Sequence, residues 1–247
     1  MKKRRWFSLF LSFALLLPLF SLTSADAYED FDLDAKAGLL IEADTGEILY
    51  EKNAHQENFP ASLTKVMVAL LVFEAIDEGK IALTDSVTAT ESAFEGLSSD
   101  GSTANIVPGE TMTVEQLLNC MLIVSANEAC NILGETLYGS VDAFVARMNE
   151  RAAELGCEHT HFANATGLHN SQHYTTAWDL YLITREAMKH DKFMEICNSK
   201  SYTVPATNMT DKPRELHSTN FLISNWRARG YVYRDAQGIK TGSTPEA

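Results

Sequence analysis

The sequence predicts a mixed α/β (α+β) fold: a sheet built from strands at both ends of the chain, with a helical subdomain between them. Three observations carry this. A hairpin comes first, with "LLIEA" and "EILYE" flanking the turn "DTG". A run of amphipathic helices fills the middle of the chain. The tail, "GYVYRDAQGIKTGSTPEA", is rich in aromatic and β-branched residues and is expected to be strand. Strands at both ends with helices between imply a sheet closed by residues from both chain ends. The 247 residues, 45% of them hydrophobic, suffice for a substantial core.

Ahead of the hairpin lies a segment that is not part of the fold. "MKKRR" is a basic n-region, "WFSLFLSFALLLPLFSLTS" an apolar h-region, and "ADA" places small residues where a signal peptidase reads them. Residues 1–27 are therefore expected to be a signal peptide. Cleavage after Ala27 would remove four basic residues and one acid, taking the formal charge from −13 to −16. The mature protein should be acidic and extracytoplasmic, which argues against a nucleic-acid partner.

After the hairpin, "PASLTKVMVALLVFEAI" reads as a buried helix beginning near Ser62. The stretch "VTATESAFEGLSSDGSTANIVPGE" is polar and punctuated by Gly and Pro, and reads as a loop-rich connection. "TMTVEQLLNCMLIV" follows, with Thr113 and Gln116 at capping-box spacing. "SANEACNILGETLYG" and "SVDAFVARMNERAAELG" continue as helices. "TTAWDLYLITREAMKH" is another, capped by Thr175 or Thr176. Cys120 and Cys130 fall in apolar helical stretches and read as small buried hydrophobes. The four cysteines have wide, irregular spacing without a CxxC, which does not suit a zinc cage, and their pairing stays open.

Lys65 is the residue the helix does not explain. A cation in an apolar run needs a partner or a task. Ser62 and Lys65 stand at i and i+3, on one face at a helix start. Burial and the helix N-terminus both disfavour the ammonium form, and a neutral lysine can take the proton of a serine hydroxyl. Alone, SxxK is a weak signal, expected roughly once by chance in a chain this long, and an N-cap serine with a snorkelling lysine would satisfy it. "VSANEA" adds Ser125, a hydroxyl able to relay a proton, and Asn127, a carboxamide able to hold a substrate amide. "GIKTGST" adds Lys240 for a carboxylate, the hydroxyls of Thr241 and Ser243, and Gly242, which allows close backbone approach.

SxxK, a Ser-x-Asn and KTG in this order are the signature of penicillin-binding proteins and class A β-lactamases. With "LLIEADTGEILYEKN", "SSDGS" and "NATGLHNSQHYTTAWDL", the chain resembles the low-molecular-mass penicillin-binding proteins that are serine D-alanyl-D-alanine carboxypeptidases, over residues 37–247. The resemblance implies a β-lactamase/transpeptidase-like fold, an antiparallel sheet flanked by helices plus an all-helical subdomain, with 28–247 as the D,D-peptidase domain. It implies Ser62 as nucleophile, Lys65 as base and Ser125 as proton shuttle. Asn127 would hold the acyl side chain, and Lys240 and Thr241 the terminal carboxylate. The N–H groups of Ser62 and Ser243 would form the oxyanion hole beside Gly242. The partners implied are the D-Ala-D-Ala stem peptide, β-lactams and the periphery of a membrane; no cofactor or metal is implied.

The family's sheet continues past the KTG strand, whereas this chain stops at Ala247, so the sheet is expected to lack its C-terminal strands. A class A-like β-lactamase is the first alternative. Against it stand Ala126, where SDN has aspartate, and the want of an Ω-loop glutamate motif in residues 151–168. A catalytically impaired wall-binding or β-lactam-binding fragment is the second. His169 and His173 have i, i+4 spacing but lie in a loop-like stretch poorly suited to a metal pair. Asp179 is expected to serve its own helix.

Overall fold

The computed structural model describes residues 33–247, and the elements below all fall within one compact unit, Lys36–Ala247. The signal-peptide reading lies outside the described residues. The expected hairpin is present: β1, Gly38–Ile41, pairs antiparallel with β2, Ile48–Lys52, with Leu40 opposite Tyr50. A 3₁₀ turn, Ala61–Thr64, then leads into α1, Lys65–Asp77. The buried helix expected from Ser62 thus starts with a tighter turn, a common way for an α-helix to begin. Helix α1 is apolar on every face and runs through the core, as such a helix must.

The connection read as loop contains two short strands, β3 (Ser86–Thr88) and β4 (Thr111–Thr113), paired antiparallel. Helix α2, Val114–Ile123, begins with the expected capping box: Thr113 Oγ1 accepts from Gln116 N–H, and Gln116 Oε1 accepts from Thr113 N–H. Helix α3, Asn127–Tyr138, ends at Gly139, whose φ of 79° is the left-handed C-terminal cap. Helix α4, Val141–Glu154, is capped by Ser140, and α5, Ala177–Ala187, by Thr176 rather than Thr175. A sixth helix, α6 (Asp191–Cys197), and a hairpin of β5 (Ser201–Val204) with β6 (Arg214–His217) complete the described elements.

The tail corrects the sequence reading. Residues 238–244 belong to no strand, and the three described sheets are separate two-stranded pairs rather than one sheet joining both chain ends. Aromatic and β-branched composition favours extended backbone, but a strand exists only where a second strand takes its N–H and C=O groups. No such ladder reaches 238–244 among the described residues.

Candidate active site

Ser62 and Lys65 are brought together by the 3₁₀ turn, in which residues three apart eclipse. Lys65 Nζ lies 3.0 Å from Ser62 Oγ. Several residues hold the turn from behind. Ala61 takes a left-handed φ of 47°, and Gly167 packs against its carbonyl so closely that a Cβ at 167 would come within 1.8 Å of Ala61 O. Thr64 Oγ1 donates to Ala61 O at 2.8 Å. Behind Thr64 stands buried His173. Its Nδ1 accepts the Ala163 N–H at 3.1 Å, which leaves Nε2 as the protonated nitrogen facing Thr64 Oγ1 at 2.8 Å. Burial chiefly, then the charges of His161 and Lys65, pushes His173 down to about 4, so the ring is neutral at pH 7.

Lys65 is fully buried. Its Nζ also lies 2.9 Å from Asn127 Oδ1 and 2.5 Å from the carbonyl oxygen of Thr166. Both of these oxygens only accept. A neutral amine gives each one N–H and turns its lone pair toward the Ser62 hydroxyl. Burial lowers the Lys65 pKa, opposed by Cys130 and Glu128. The pair therefore has the geometry and the electrostatics to move a proton from Ser62 to Lys65.

The second wall is the junction of α2 and α3. Ser125 is buried and sits at φ 67°, a left-handed conformation that costs a residue with a Cβ on the order of 1 kcal/mol or more. Asn127 opens α3. Its N–H donates to Ser102 O at 2.9 Å, and its Nδ2 faces Gly101, where a Cβ would come within 2.7 Å. Glu128 pins the same loop, accepting from Thr103 Oγ1 at 2.7 Å and Ala104 N–H at 2.8 Å.

The third wall is the tail. Lys240 is half-buried along its length, with its Nζ turned inward, 3.0 Å from Ser125 Oγ and 2.8 Å from Thr241 O. Burial first, then the charge on Lys65, brings its pKa down to about 7. Thr241 Oγ1 lies 2.7 Å from Thr219 Oγ1. Gly242 rests on the Ser62 turn, where a Cβ would stand 2.9 Å from Pro60 O. Ser243 is exposed and makes no hydrogen bond among the described residues.

The residues named from sequence thus form two hydrogen-bonded branches, Ser62–Lys65–Asn127 and Ser125–Lys240, flanked by Thr241 and Gly242. Of these residues only Lys240 lines a cavity of about 1070 Å³, whose other walls include Leu40, Leu63, Leu180 and Ile239. Sequence reasoning missed the Thr166 carbonyl, the support from His173 and Thr64, and the Thr219 link. His169 and His173 point apart: His169 meets the Phe59 ring edge-on at 4.7 Å. Buried Asp179 lies in the first turn of α5, but its carboxylate reaches beyond that helix, accepting from His159 N–H and Thr160 Oγ1. The four cysteines are unpaired, with Cys120, Cys130 and Cys197 buried. Among the described residues no cluster of three His, Cys, Asp or Glu side chains is arranged to hold a metal.

Three comparisons bear on this arrangement. The profile of the peptidase S11 family, D-alanyl-D-alanine carboxypeptidase, matches residues 23–247. The D-alanyl-D-alanine carboxypeptidase DacF of Bacillus subtilis is 39% identical over 214 residues, covering 87% of this chain and 52% of that protein. The D-alanyl-D-alanine carboxypeptidase of Streptomyces sp. strain K15 is 31% identical over 236 residues, covering 91% of this chain and 77% of that protein. The crystal structure of the Streptomyces K15 DD-transpeptidase superposes with a TM-score of 0.78 at 31% identity, covering 89% of this chain and 84% of that one. The chain spans about half the length of the first curated relatives it matches.

Proposed function

Because this chain belongs to the D-alanyl-D-alanine carboxypeptidase family, we propose that it is a serine carboxypeptidase that removes the terminal D-alanine of peptidoglycan stem pentapeptides through an acyl-enzyme. The observation that carries the reading is the fully buried Lys65 amine 3.0 Å from Ser62 Oγ, with its other two polar neighbours both carbonyl oxygens.

In this reading Lys65 Nζ accepts the Ser62 proton as Oγ attacks the carbonyl between the two D-alanines. The N–H groups of Ser62 and Ser243 receive the oxyanion. When the C–N bond breaks, Ser125 passes its hydroxyl proton to the leaving amine and is reprotonated with the proton that Lys65 took from Ser62, which returns Lys65 to the neutral amine, while Lys240 steadies the Ser125 hydroxyl. Asn127 Oδ1 is committed to Lys65, so its Nδ2 is the donor for the acyl side chain. Lys240 and Thr241 receive the terminal carboxylate, whose negative charge favours the protonated form of Lys240. Gly242 lets the tail lie close against the Ser62 turn, where a Cβ would meet Pro60 O. Water then attacks the ester, Lys65 taking its proton and returning it to Ser62 Oγ as the acyl–oxygen bond breaks. A β-lactam acylates the same serine. The domain of residues 28–247 acts outside the cytoplasm after removal of the leader, in contact with the cell wall. No described helix is long and apolar enough to cross a membrane.

Fluorescent penicillin separates this reading from its rivals. A stable label on Ser62 together with turnover of a D-Ala-D-Ala peptide is the expected result. Rapid loss of label indicates a β-lactamase, and a stable label without peptide turnover a binding module. Ser62→Ala should abolish the adduct with the fold intact; mass spectrometry that finds the adduct on another residue overturns the assignment.

A further inference from the structure

The segment between β6 and the tail has a surface unlike the rest of the molecule. Six of the thirteen exposed large apolar side chains among the described residues lie in 221–233. All four aromatics in that set are here: Phe221, Trp226, Tyr231 and Tyr233. Trp226, Tyr231 and Tyr233 are 64%, 62% and 62% exposed, well beyond the partial exposure usual for such rings. The rings are organised: Phe221 and Tyr231 stand 6.2 Å apart, Trp226 stacks on His217 at 3.6 Å, and Tyr233 N–H donates to Leu222 O at 2.9 Å.

The charge is also reversed. The chain carries −13, yet 221–236 holds Arg227, Arg229 and Arg234 against Asp235 alone. Arg234 pairs with Asp235 at 3.3 Å, whereas Arg227 and Arg229 are exposed and make no ion pair or hydrogen bond among the described residues. Aromatic rings with arginines are the composition of a binding surface.

The segment is tied into the cleft at both ends. Thr219 meets Thr241, and Asn220 Nδ2 donates to Gly238 O at 2.6 Å. The aromatic face is therefore continuous with the segment that carries Thr241.

We infer that residues 221–234 form a docking platform for the peptidoglycan polymer beyond the scissile dipeptide. The inference rests on the carboxypeptidase reading above and names which form of the substrate that site prefers. A pyranose ring has an apolar C–H face and a hydroxyl rim, matched by the apolar body and polar tip of Tyr and Trp. Arg227 and Arg229 meet the free carboxylates of neighbouring stem peptides. An anionic bilayer fits less well, because the acidic body of the protein would be drawn toward a like-charged surface.

The test is a double variant, Trp226→Ala/Tyr231→Ala, and a second, Arg227→Gln/Arg229→Gln, made in the full chain. Two substrates are compared: a chain of disaccharide pentapeptide units and a short N-acylated L-Lys-D-Ala-D-Ala tripeptide. Contacts remote from the scissile bond act as uniform binding, so KM for the polymer should rise about tenfold with kcat kept. The tripeptide and penicillin acylation should be unchanged, and co-sedimentation with purified sacculi should fall. Equal effects on both substrates, or undiminished sacculus binding, overturn the platform. So does capture of the wild-type chain by phosphatidylglycerol vesicles that the aromatic variant loses. Failure to turn over either substrate overturns the carboxypeptidase reading instead, and sacculus co-sedimentation still decides the platform.

Discussion

At the Ser62 end of the cleft the supporting groups are buried and interlocked, whereas the Lys240 end hangs on a few side-chain bonds along an extended chain. Ser62 and Lys65 sit where a core helix begins, backed by Gly167, Thr64, His173 and the Thr166 carbonyl. Residues 239–244 have no strand partner among the described residues and are held by Lys240 on Ser125 and Thr241 on Thr219. The difference separates two requirements. A nucleophile and its base must be positioned before substrate arrives, and dense packing does that. A carboxylate receptor can tighten around its ligand, and sparse bonding leaves it that freedom.

Removing the proposed base tests the buried half most severely. Lys65→Ala should slow penicillin acylation by about a thousandfold or more, because it disables a unit whose members act together. Near wild-type stopped-flow acylation would show that the buried amine is not the base. Gly167→Ala comes next. Its Cβ would overlap the Ala61 carbonyl at a backbone φ of 84°, so a loss of about 3 kcal/mol or more is expected in urea unfolding. A small change would mean that the turn yields easily.

Acid should also act on the buried half. Histidine titrates near 6.5 when unfolded and His173 at about 4 in the fold. Between those values the unfolded chain binds the extra proton, so stability is fully present above pH 6.5 and falls as the pH drops toward 4. The full loss is on the order of 3 kcal/mol. His173→Gln should flatten this part of the stability–pH curve, measured by urea unfolding from pH 7 to 4.5; an unchanged slope assigns the dependence to other groups. The smallest effect belongs to the tail. Thr219→Val should cost about 1 kcal/mol in local stability. It should raise hydrogen exchange in 239–244 while α1 stays protected, and raise KM for a carboxylate-ended peptide more than it changes kcat. Equal exchange in both segments would erase the contrast between the two halves.

What sequence could show follows the same division. Short-range chemistry was legible: the capping box at Thr113 and Gln116, the Thr176 cap and the β1–β2 hairpin each depend on residues a few positions apart. The β5–β6 hairpin escaped notice because nine residues separate its strands and prolines sit at 205 and 213, without a tight-turn signal. The tail was misread because propensity reports a preference for extended backbone and says nothing of a partner strand. In the site, side chains grouped in motifs could be named in advance. The Thr166 acceptor is a main-chain carbonyl, which any residue would carry, and His173 acts through a contact 109 residues away with Thr64. Neither leaves a local pattern.

Lys65 and Lys240 stand near enough that charge on Lys65 makes Lys240 harder to protonate. The cleft therefore disfavours holding two protons at once. Burial, helped by charge on Lys65, brings the Lys240 pKa down to about 7, so an empty site holds the Lys240 proton less firmly than an exposed lysine would. An anion settling beside it favours the charged form, and the missing fraction of a proton comes from the buffer. In the proposed reading, capture of a carboxylate here is a two-ligand event, one anion and part of a proton. Its apparent heat must then depend on the ionisation enthalpy of the solvent's own acid.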